Sequence, residues 1–420
     1  MDPRQQKGRE IAIGYRIEKS AKGFIVPSQS GQGTYLVTLK EATATCTCPD
    51  FELRRQRCKH IYAVEYTVKR EQQPDGATVV TRTTRVTYRQ DWPVYNAAQT
   101  HERSHFLELL RGLCDGIVQP PQTIGRPRHL LADVVFSLVC KIYSLRSGRR
   151  LMSDLRGEDL KRFLGKVPHY NSVFRCLEDP SLTSLLKTLI EESATPLKAV
   201  ETDFSVDSSG FSTSAFVHWY DERYRRHLRE RRWVKVHLMC GVHTHVVTSI
   251  EVTPTDSADA PQFAGLVAAT ARRFPIQEVS ADKGYLSLDN LQVVAGIGGI
   301  AYIPFKQRTT GLRADFDALW NRMWHYYMFN RETFLQHYHK RSNAETTFSM
   351  IKAKFGEVVR AKMPVAQVNE VLCKVLCHNL CVLIQSIYEL KLDPTFWAAD
   401  AEPLSPSEVA ESRRNYSNDG

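Results

Sequence analysis

The chain has 420 residues, of which 56 are Lys or Arg and 46 are Asp or Glu, so its formal net charge is +10. This length allows two or three domains with cores of their own, and the basic balance favours a polyanionic partner, nucleic acid first and an anionic membrane second. Ten scattered cysteines argue against a disulfide framework, and apolar runs that are too short or too interrupted to span a bilayer argue against a membrane protein.

The N-terminal residues lack the apolar core of a signal peptide, which predicts a cytoplasmic protein.

The first predicted elements belong to a small antiparallel sheet. Short alternating segments, separated by Gly and Ser, then run over residues 11–48, and "HIYAVEYTVKREQ" has helical periodicity. A Thr- and Arg-rich extended stretch leads to residues 106–197, which carry helical signals. Helix N-caps are predicted there at Asn171 and Ser181, and the two short helices are either a helix-turn-helix or plain helical packing.

A change of pattern at "VETDFSVDSSGF" marks the start of a second sheet. Period-two alternation predicts three strands, which are followed by the order helix, strand, helix, strand, helix. This order predicts a mixed sheet with helices packed on it, and the fold class is therefore α+β or α/β in several domains.

Three cysteines and a histidine lie within the fifteen residues "CTCPDFELRRQRCKH". Zinc prefers four such ligands in a tetrahedron, and a closed set without a spare position is structural rather than catalytic. Cys46 and Cys48 leave the same face of a strand, whereas Cys58 and His60 lie where the next helix begins. These four residues are predicted to bind one structural Zn²⁺; the alternative is four unrelated core residues.

The segment around these ligands resembles a SWIM zinc finger, whose pattern is Cys-x-Cys, a variable spacer and Cys-x-His. The flanks "CTCPDF" and "CKHI" carry the resemblance, which covers about Tyr15 to Arg70. It implies binding of nucleic acid or protein rather than chemistry. Four basic residues between the ligands either contact phosphates or form a solvated loop, namely Arg54, Arg55, Arg57 and Lys59.

Three carboxylates are candidates for a catalytic metal site. Asp207 is expected at the end of its strand, before a turn at "SSG", and Asp282 is expected at the end of another strand before "KGY". Glu345 lies at the edge of a helix beside its apolar stripe. Carboxylates that converge repel one another unless a hard cation joins them, which predicts two Mg²⁺ or Mn²⁺ ions; the alternative for the aspartates is a role in turns.

Basic and aromatic neighbours share the helical face of Glu345. Tyr338, Arg341 and Lys352 lie within roughly 60° of it at about 100° per residue. They are expected to hold phosphates, whereas Lys340 and Lys354 point away and are expected only to solvate the helix.

The segment from about Ala199 to Phe355 resembles the catalytic domain of DDE transposases of prokaryotic insertion sequences, which has a ribonuclease-H-like fold. "VDSSGF" resembles the first-aspartate motif and "ADKGY" the second, and the helix fits the family's Tyr–Arg–Glu–Lys signature. The resemblance implies that metal is bound by Asp207, Asp282 and Glu345. It implies DNA contacts by Tyr338, Arg341 and Lys352. The fused zinc finger departs from the usual pattern of the family.

The resemblance implies an enzyme of a mobile element that cuts and transfers double-stranded DNA at element ends and targets, as a homodimer on DNA in the nucleoid. The alternatives are a non-catalytic zinc-finger regulator derived from a transposase, or a protein-interaction module joined to an unrelated nuclease. The arginine-rich stretch "DERYRRHLRERRWVKVH" is either a DNA backbone contact or a solvated loop.

Six regions are expected: 1–72, a SWIM-like zinc-finger domain; 73–105, a linker or arm; 106–198, a helical region that binds DNA; 199–357, the ribonuclease-H-like catalytic domain; 358–395, C-terminal helices; and 396–420, a polar tail.

Overall fold

The computed structural model describes residues 3–20, 22–29, 33–39, 44–72, 78–82, 91–122, 124–125, 127–213, 233–306, 309 and 318–397. The chain divides into two compact units, Met1–Gln90 and Asp91–Gly420. Two predictions fall outside the described residues: most of the arginine-rich stretch, at 221–232, and the polar tail from residue 398 onwards.

The first unit contains a four-stranded antiparallel sheet and a separate pair of strands. Its elements are α1 (Pro3–Gly14), β1 (Glu18–Ser20), β2 (Gly23–Pro27), β3 (Thr34–Leu39), β4 (Ala44–Cys46), α2 (Pro49–Arg54), α3 (Lys59–Thr67), β5 (Val68–Gln72) and β6 (Thr78–Arg82). The sheet has the order β1-β2-β3-β4, as the alternating segments predict. Val37 pairs with Cys46 in this sheet, so the first cysteine lies at the end of a paired strand.

Helix α1 occupies part of the segment in which the sequence predicts the first strand. Ile11 is fully buried in the core of the unit, together with Val26 and Ile61. The helix can pack closely on α3 because residue 8 is glycine: a Cβ there would lie 2.6 Å from the Cβ of Tyr62. The predicted long helix "HIYAVEYTVKREQ" ends at Thr67, because the residues that follow pair with β6 instead.

The second unit combines a helical layer with a mixed sheet. Its helices are α4 (Trp92–Asp115), α5 (Leu131–Tyr143), α6 (Gly148–Arg156), α7 (Glu158–Lys161), α8 (Tyr170–Leu177), α9 (Ser181–Ala194), α10 (Ala260–Ala271), α11 (Leu288–Gly296), α12 (Ala318–Phe329), α13 (Arg331–Tyr338), α14 (Ser342–Phe355) and α15 (Pro364–Leu390). Its strands are β7 (Asp203–Ser212), β8 (Trp233–Gly241), β9 (Val247–Thr253), β10 (Glu278–Ala281) and β11 (Ile300–Tyr302). Short 3₁₀ turns lie at Thr195–Leu197, Lys283–Tyr285 and His339–Arg341.

The five strands have the order β11-β10-β7-β8-β9. β7, β8 and β9 are antiparallel neighbours, whereas β10 runs parallel to both β7 and β11. Helix α10 packs on β8 and β9, α14 packs on β7 and β8, and α9 packs on β9. The predicted fold class is confirmed: a mixed sheet flanked by helices follows a small β-rich N-terminal region.

Strand β7 is longer than its sequence predicts. The expected turn at "SSG" is absent from the described residues, because Ser208, Ser209 and Gly210 continue the ladder with β8 as far as Ser212. Ser212 then donates its N–H to the carbonyl of Glu357 and accepts the N–H of Val359. The segment that follows α14 is therefore fastened to the far end of β7.

Two helix starts in the helical layer differ from the prediction by one or two residues. Helix α8 is capped by His169, whose Nδ1 accepts the N–H of Asn171 at 3.2 Å. Helix α9 follows Pro180, and the hydroxyl of Ser181 donates to Asp179 at 2.7 Å. Helix α4 begins at Trp92, inside the stretch that was expected to be a linker or arm, because Asp91 accepts the N–H of Val94 and caps it.

Helix α15 joins the helical layer to the sheet. It packs against α4, α5 and α9, and the side-chain amide of Asn379 bonds both backbone groups of Val247 at the start of β9. The region was expected to hold several helices with interrupted apolar runs, but it is one helix of 27 residues. By length and composition it could cross a membrane; 78% of its most apolar window is buried inside the protein, as in a core helix.

Candidate active site and metal centre

The four predicted zinc ligands come together in the first unit. Cys46 ends β4, Cys48 precedes α2, and Cys58 and His60 lie at the start of α3. All four are buried, and their ligand atoms lie within 4.8 Å of one another. The Nδ1 of His60 lies 3.9 Å from the Sγ of Cys46 and 4.0 Å from that of Cys58.

The thiols of this cluster lie in contact with one another and with His60, so each shifts the pKa of its neighbours. Hydrogen bonding from Cys46 and then His60 lowers the pKa of Cys58 to about 3, whereas the same contact raises the pKa of Cys46. Burial raises the pKa of Cys48. A thiolate held by neighbouring thiols and an imidazole has the donor chemistry that Zn²⁺ requires, and three sulfurs with one nitrogen form a closed structural set. The residues therefore fit one zinc ion.

The basic residues between the ligands are mostly paired with acidic or polar neighbours. Arg54 lies 3.5 Å from Asp50, and Arg57 lies 3.2 Å from Glu65. Lys59 donates to the side chain of Gln29 at 3.0 Å. These contacts are on or near the protein surface, where ion pairs exchange readily with other anions.

Asp207 lies inside β7, at the place where its neighbour β10 ends. The parallel ladder between the two strands stops at the pair Val206 and Ala281, so Asp207 and Asp282 are the next residues on either strand. The two aspartates therefore lie side by side at the carboxyl end of β10. The sequence predicts this proximity, but it places Asp207 at the end of its strand, whereas the strand continues past it. Asp282 also precedes the 3₁₀ turn Lys283–Tyr285 as its N-cap residue. The turn is held in place by Tyr285, which is only 1% exposed.

Glu345 approaches Asp207 from α14, with Arg341 between them. One nitrogen of the Arg341 guanidinium lies 3.3 Å from Asp207 and the other lies 2.6 Å from Glu345. The side chain of Glu345 is 54% exposed, whereas that of Asp207 is 18% exposed. The two carboxylates therefore share one cation that belongs to the protein itself.

The charges of the other two predicted acids act on Asp207. Burial raises its pKa, the Ser208 N–H and the Arg341 charge oppose that rise, and Glu345 and Asp282 add to it. Burial opposes the charge of Arg341, but the bond to Glu345 and the charges of Tyr338, Asp207 and Glu345 together outweigh it and raise the Arg341 pKa. Asp207 and Glu345, which share the Arg341 guanidinium, are the carboxylates best placed to hold a divalent metal ion. Among the described residues, the three acids do not bring their oxygens together into one metal-binding cluster, as the Cys46, Cys48, Cys58 and His60 set does. Asp207 and Glu345 line one cavity, and Asp282 lies beside it rather than in its wall.

This cavity has a volume of about 510 Å³ and opens to solvent between β7 and α14. Besides the two carboxylates its wall includes Ser209, Phe348 and Lys352. The Lys352 ammonium donates to the hydroxyl of Ser209 at 2.8 Å and lies 5.3 Å from the centre of the Phe211 ring. Burial lowers the Lys352 pKa. Tyr338 stacks near Arg341, whose guanidinium carbon lies 5.9 Å from the ring centre.

Two lysines that were expected only to solvate the helix have specific partners. Lys340 bonds Asp203 at 2.7 Å and Glu278 at 2.6 Å, and it thereby ties the helix to the starts of β7 and β10. Lys354 pairs with Glu102 of α4. Sequence periodicity shows on which face of a helix a lysine lies, but it does not show which acidic residues from other elements of the fold lie opposite that face.

Ser209 and Glu357 are site residues that the sequence analysis missed. Both line the cavity of Asp207 and Glu345. Ser209 was assigned to a turn, and the signal that reveals it is its place two residues after Asp207 on the same face of one strand. Glu357 follows the helix signature, and no sequence pattern relates it to the end of β7.

Comparison with known proteins finds two family matches and one similar solved structure. Residues 198–380 match the family described as "Transposase DDE domain", and residues 35–69 match the family described as "SWIM zinc finger". Among solved structures, the chain is similar to the piggyBac transposase synaptic complex with hairpin DNA. The identity is 12% and the TM-score is 0.27, over 75% of this chain and 82% of that chain.

Proposed function

We propose that this chain, whose residues 198–380 form a transposase DDE domain, is a DNA transposase that cleaves DNA strands and transfers them with the help of divalent metal ions. The observation that supports this activity is the shared cavity of Asp207 and Glu345, bridged by Arg341 and flanked by Lys352. Such an arrangement places carboxylates at the centre and phosphate-binding cations around them. Phosphodiester chemistry needs the carboxylates to hold metal ions and the cations to bind the charged phosphates of the substrate.

Asp207, Glu345 and Asp282 would hold Mg²⁺ or Mn²⁺. Two such ions, when bound, lower the pKa of water and stabilise the charge of both the attacking and leaving oxygens. Arg341 would leave its carboxylates and turn to a phosphate as the metal binds. Lys352, held by Ser209 and two aromatic rings, would bind a phosphate oxygen without needing to be reoriented.

The proposed reaction proceeds in two in-line displacements. In the first, a water oxygen attacks the scissile phosphorus, the bond from phosphorus to the 3′ oxygen breaks, and that oxygen takes a proton to become a 3′-hydroxyl. In the second, this hydroxyl attacks a phosphorus of the target strand and displaces the target's own 3′ oxygen. The substrate is double-stranded DNA at the ends and target of a mobile element of the insertion-sequence type.

The site alone does not join two ends, so we expect the protein to act as a homodimer on DNA, associated with the nucleoid. The SWIM finger at residues 35–69 would use its bound Zn²⁺ only to hold its fold. Its surface would recognise either DNA or a protein.

A plasmid assay tests the activity. A supercoiled plasmid that carries the DNA flanking the gene should be converted to nicked and linear forms in Mg²⁺ or Mn²⁺, and not in EDTA. A labelled 3′ end should become joined to a second plasmid. Tight DNA binding without any nicking in either metal would overturn the proposal and favour a non-catalytic regulator.

A further inference from the structure

A second cavity in the unit Asp91–Gly420 is lined by several basic side chains. It has a volume of about 270 Å³, roughly nine times the volume of about 30 Å³ that one water occupies in the liquid. It lies between α5, the start of α15 and the segment after α14. Six charged residues line it: Lys141, Arg146, Glu357, Arg360, Glu370 and Lys374.

Lys141 is the unusual member of this set. The residue is only 9% exposed, and among the described residues its ammonium makes no hydrogen bond or ion pair. Its closest described aromatic contact is the ring of Phe174, whose centre lies 5.6 Å away. Burying a lysine without an anionic partner costs free energy, and the cost is recovered when an anion binds.

Four cations line the cavity against two acidic residues, and one of these, Glu370, is engaged by the protein itself. The Glu370 carboxylate accepts the backbone N–H groups of Arg360 and Ala361, at 2.8–3.1 Å. Lys374, which is 2% exposed, donates to the carbonyls of Gly356 and Val358 and so holds the same segment. Glu370 and Lys374 thus form the floor of the cavity.

Three cations remain for a ligand. Arg360 donates one guanidinium N–H to the carbonyl of Leu145 at 2.9 Å, which fixes the side chain and leaves its other N–H groups for an anion. Arg146 is 51% exposed and lies 2.8 Å from Asp154, a surface pair that is easily exchanged. Burial lowers the pKa of Lys141, and the charge of Glu370 opposes that effect.

The position of this cavity relates it to the candidate active site. Glu357 lines both cavities, and its carbonyl accepts the N–H of Ser212 at the end of the strand that carries Asp207. The two cavities are therefore neighbours on either side of Glu357, close enough for successive phosphates of one strand to reach both.

We propose that Lys141, Arg146 and Arg360 bind a backbone phosphate of the DNA substrate that flanks the phosphate to be cleaved. This inference rests on the proposed function for the identity of its ligand. The contact fixes the position of the strand and does not depend on base sequence.

The test measures how the affinity for a fixed DNA duplex depends on salt. Each lost phosphate contact should reduce the slope of log K against log salt by about 0.9. Because the three cations share one phosphate, we expect the double variant Lys141→Gln/Arg360→Gln to lower the slope by about that amount and to weaken binding about tenfold, and each single variant to show part of this loss. Arg272→Gln is the control, because this exposed residue pairs with Glu191 and lines neither cavity.

The melting temperature separates binding from a structural role. Lys141→Gln removes a buried charge without a partner, so the variant should melt at or above the wild-type temperature while its DNA affinity falls. A lower melting temperature with an unchanged slope in both variants would overturn the proposal and assign Lys141 to packing against Phe174.

The outcomes also distinguish the two proposals. A wild-type protein that nicks DNA, with variants that keep its salt slope, refutes the phosphate site alone. A wild-type protein that never nicks DNA, with a double variant that loses one unit of slope, refutes the catalytic proposal and retains the site.

Discussion

The guanidinium of Arg341 joins Asp207 to Glu345, at distances of 3.3 Å and 2.6 Å. The two acids come from a strand and from a helix that lie far apart in the chain. The fold therefore brings their negative charges together, and the single positive charge of Arg341 offsets one of the two.

Substitution Glu345→Gln should abolish metal-dependent nicking while DNA binding is retained. The amide keeps the size of the side chain and the hydrogen-bonding carbonyl but loses the charge that a divalent ion needs. A metal contributes several kcal/mol to the charge stabilisation of the transition state, so we expect a loss of roughly 100-fold or more in the nicking rate. The plasmid assay, together with fluorescence anisotropy on a duplex, measures both properties.

Glu332→Gln is the matched control, because Glu332 is an exposed acid in the first turn of the neighbouring helix α13. It should leave nicking unchanged. Full activity of Glu345→Gln would refute the role of Glu345.

Substitution Asp207→Asn should raise the melting temperature of the metal-free protein. Burial raises the pKa of Asp207, so the folded state binds its proton more tightly than the unfolded state does. Between the ordinary pKa of 3.8 and the raised one, stability falls as the pH rises, and at neutral pH the ionised carboxylate costs stability. Asparagine removes that cost.

The same variant should lose its stabilisation by Mg²⁺. A ligand at about 100 times its Kd stabilises the native state by about 2.7 kcal/mol, and Asp207→Asn should show little of this gain. Differential scanning calorimetry with EDTA and with Mg²⁺ at pH 7.5 measures both effects. A variant that melts lower than wild type in EDTA, or that keeps the full Mg²⁺ increment, contradicts the assignment.

Sequence patterns were sufficient to predict the mixed sheet, the helix that carries Glu345 and the four cysteine and histidine ligands. These features depend on spacing within a short stretch, which a period of two or of 3.6 residues reveals. The Cys3His cluster is the clearest case, because its ligands lie within fifteen residues and close on themselves.

The sequence was misleading where tertiary pairing decides the local structure. "SSG" has the composition of a turn, but β8 supplies a partner for each of these residues and the strand continues. The first predicted strand became part of α1 because Ile11 is buried and Gly8 permits close packing on α3. Arg341 can bridge Asp207 and Glu345 only because α14 packs on β7 at one particular position along the strand, and no local sequence pattern encodes that position.

Substitution Cys58→Ser should remove zinc from the protein and unfold the unit that contains the finger. Four ligands in a closed set are needed for a structural ion, and small zinc domains are unfolded without it. Zinc content by atomic absorption should fall from one ion per chain to near zero, and limited proteolysis should cut within residues 1–72. Cys176→Ser, outside the cluster, should keep the zinc. Equal zinc in both variants would show that Cys58 is not a ligand.

Substitution Lys352→Gln should weaken DNA binding and lower the salt slope by about 0.9, as expected for one lost phosphate contact. Because burial lowers the pKa of Lys352, its charge is disfavoured in the fold, and the variant should not melt lower at neutral pH. The lowered pKa also predicts how the wild type responds to pH. As the pH rises, Lys352 loses its proton at a lower pH than an ordinary lysine does, so the DNA affinity of the wild type should begin to fall at that lower pH.

Ser209→Ala provides the control for this variant, because it removes the hydroxyl partner of Lys352 and keeps the ammonium charge. Its salt slope should equal that of the wild type. A normal slope in Lys352→Gln would place this lysine outside the DNA contact.

Substitution Lys340→Gln should destabilise the fold without changing the salt slope of DNA binding. The ammonium bonds Asp203 and Glu278, which are 18% and 19% exposed, and its loss leaves two carboxylates facing each other. Glu278 keeps its contact with His337 at 2.9 Å, but Asp203 loses its cation. Leaving such a group without its charged partner costs about 1–3 kcal/mol, which lowers the melting temperature by roughly 2–10 °C. Lys362→Gln, at an exposed position near the start of α15, is the control and should melt like the wild type.

The pH dependence of this difference gives a second check. Burial opposes the charge of Lys340, but the bonds to Asp203 and Glu278 outweigh it and raise the Lys340 pKa above 10.5. The wild type therefore holds its advantage over Lys340→Gln fully below pH 10.5 and loses it as the pH rises through the raised pKa. Thermal melts between pH 7 and pH 11 measure this gap. A gap that is absent at pH 7 would return Lys340 to the solvating role expected from the sequence, and a reduced salt slope would assign it a DNA contact instead.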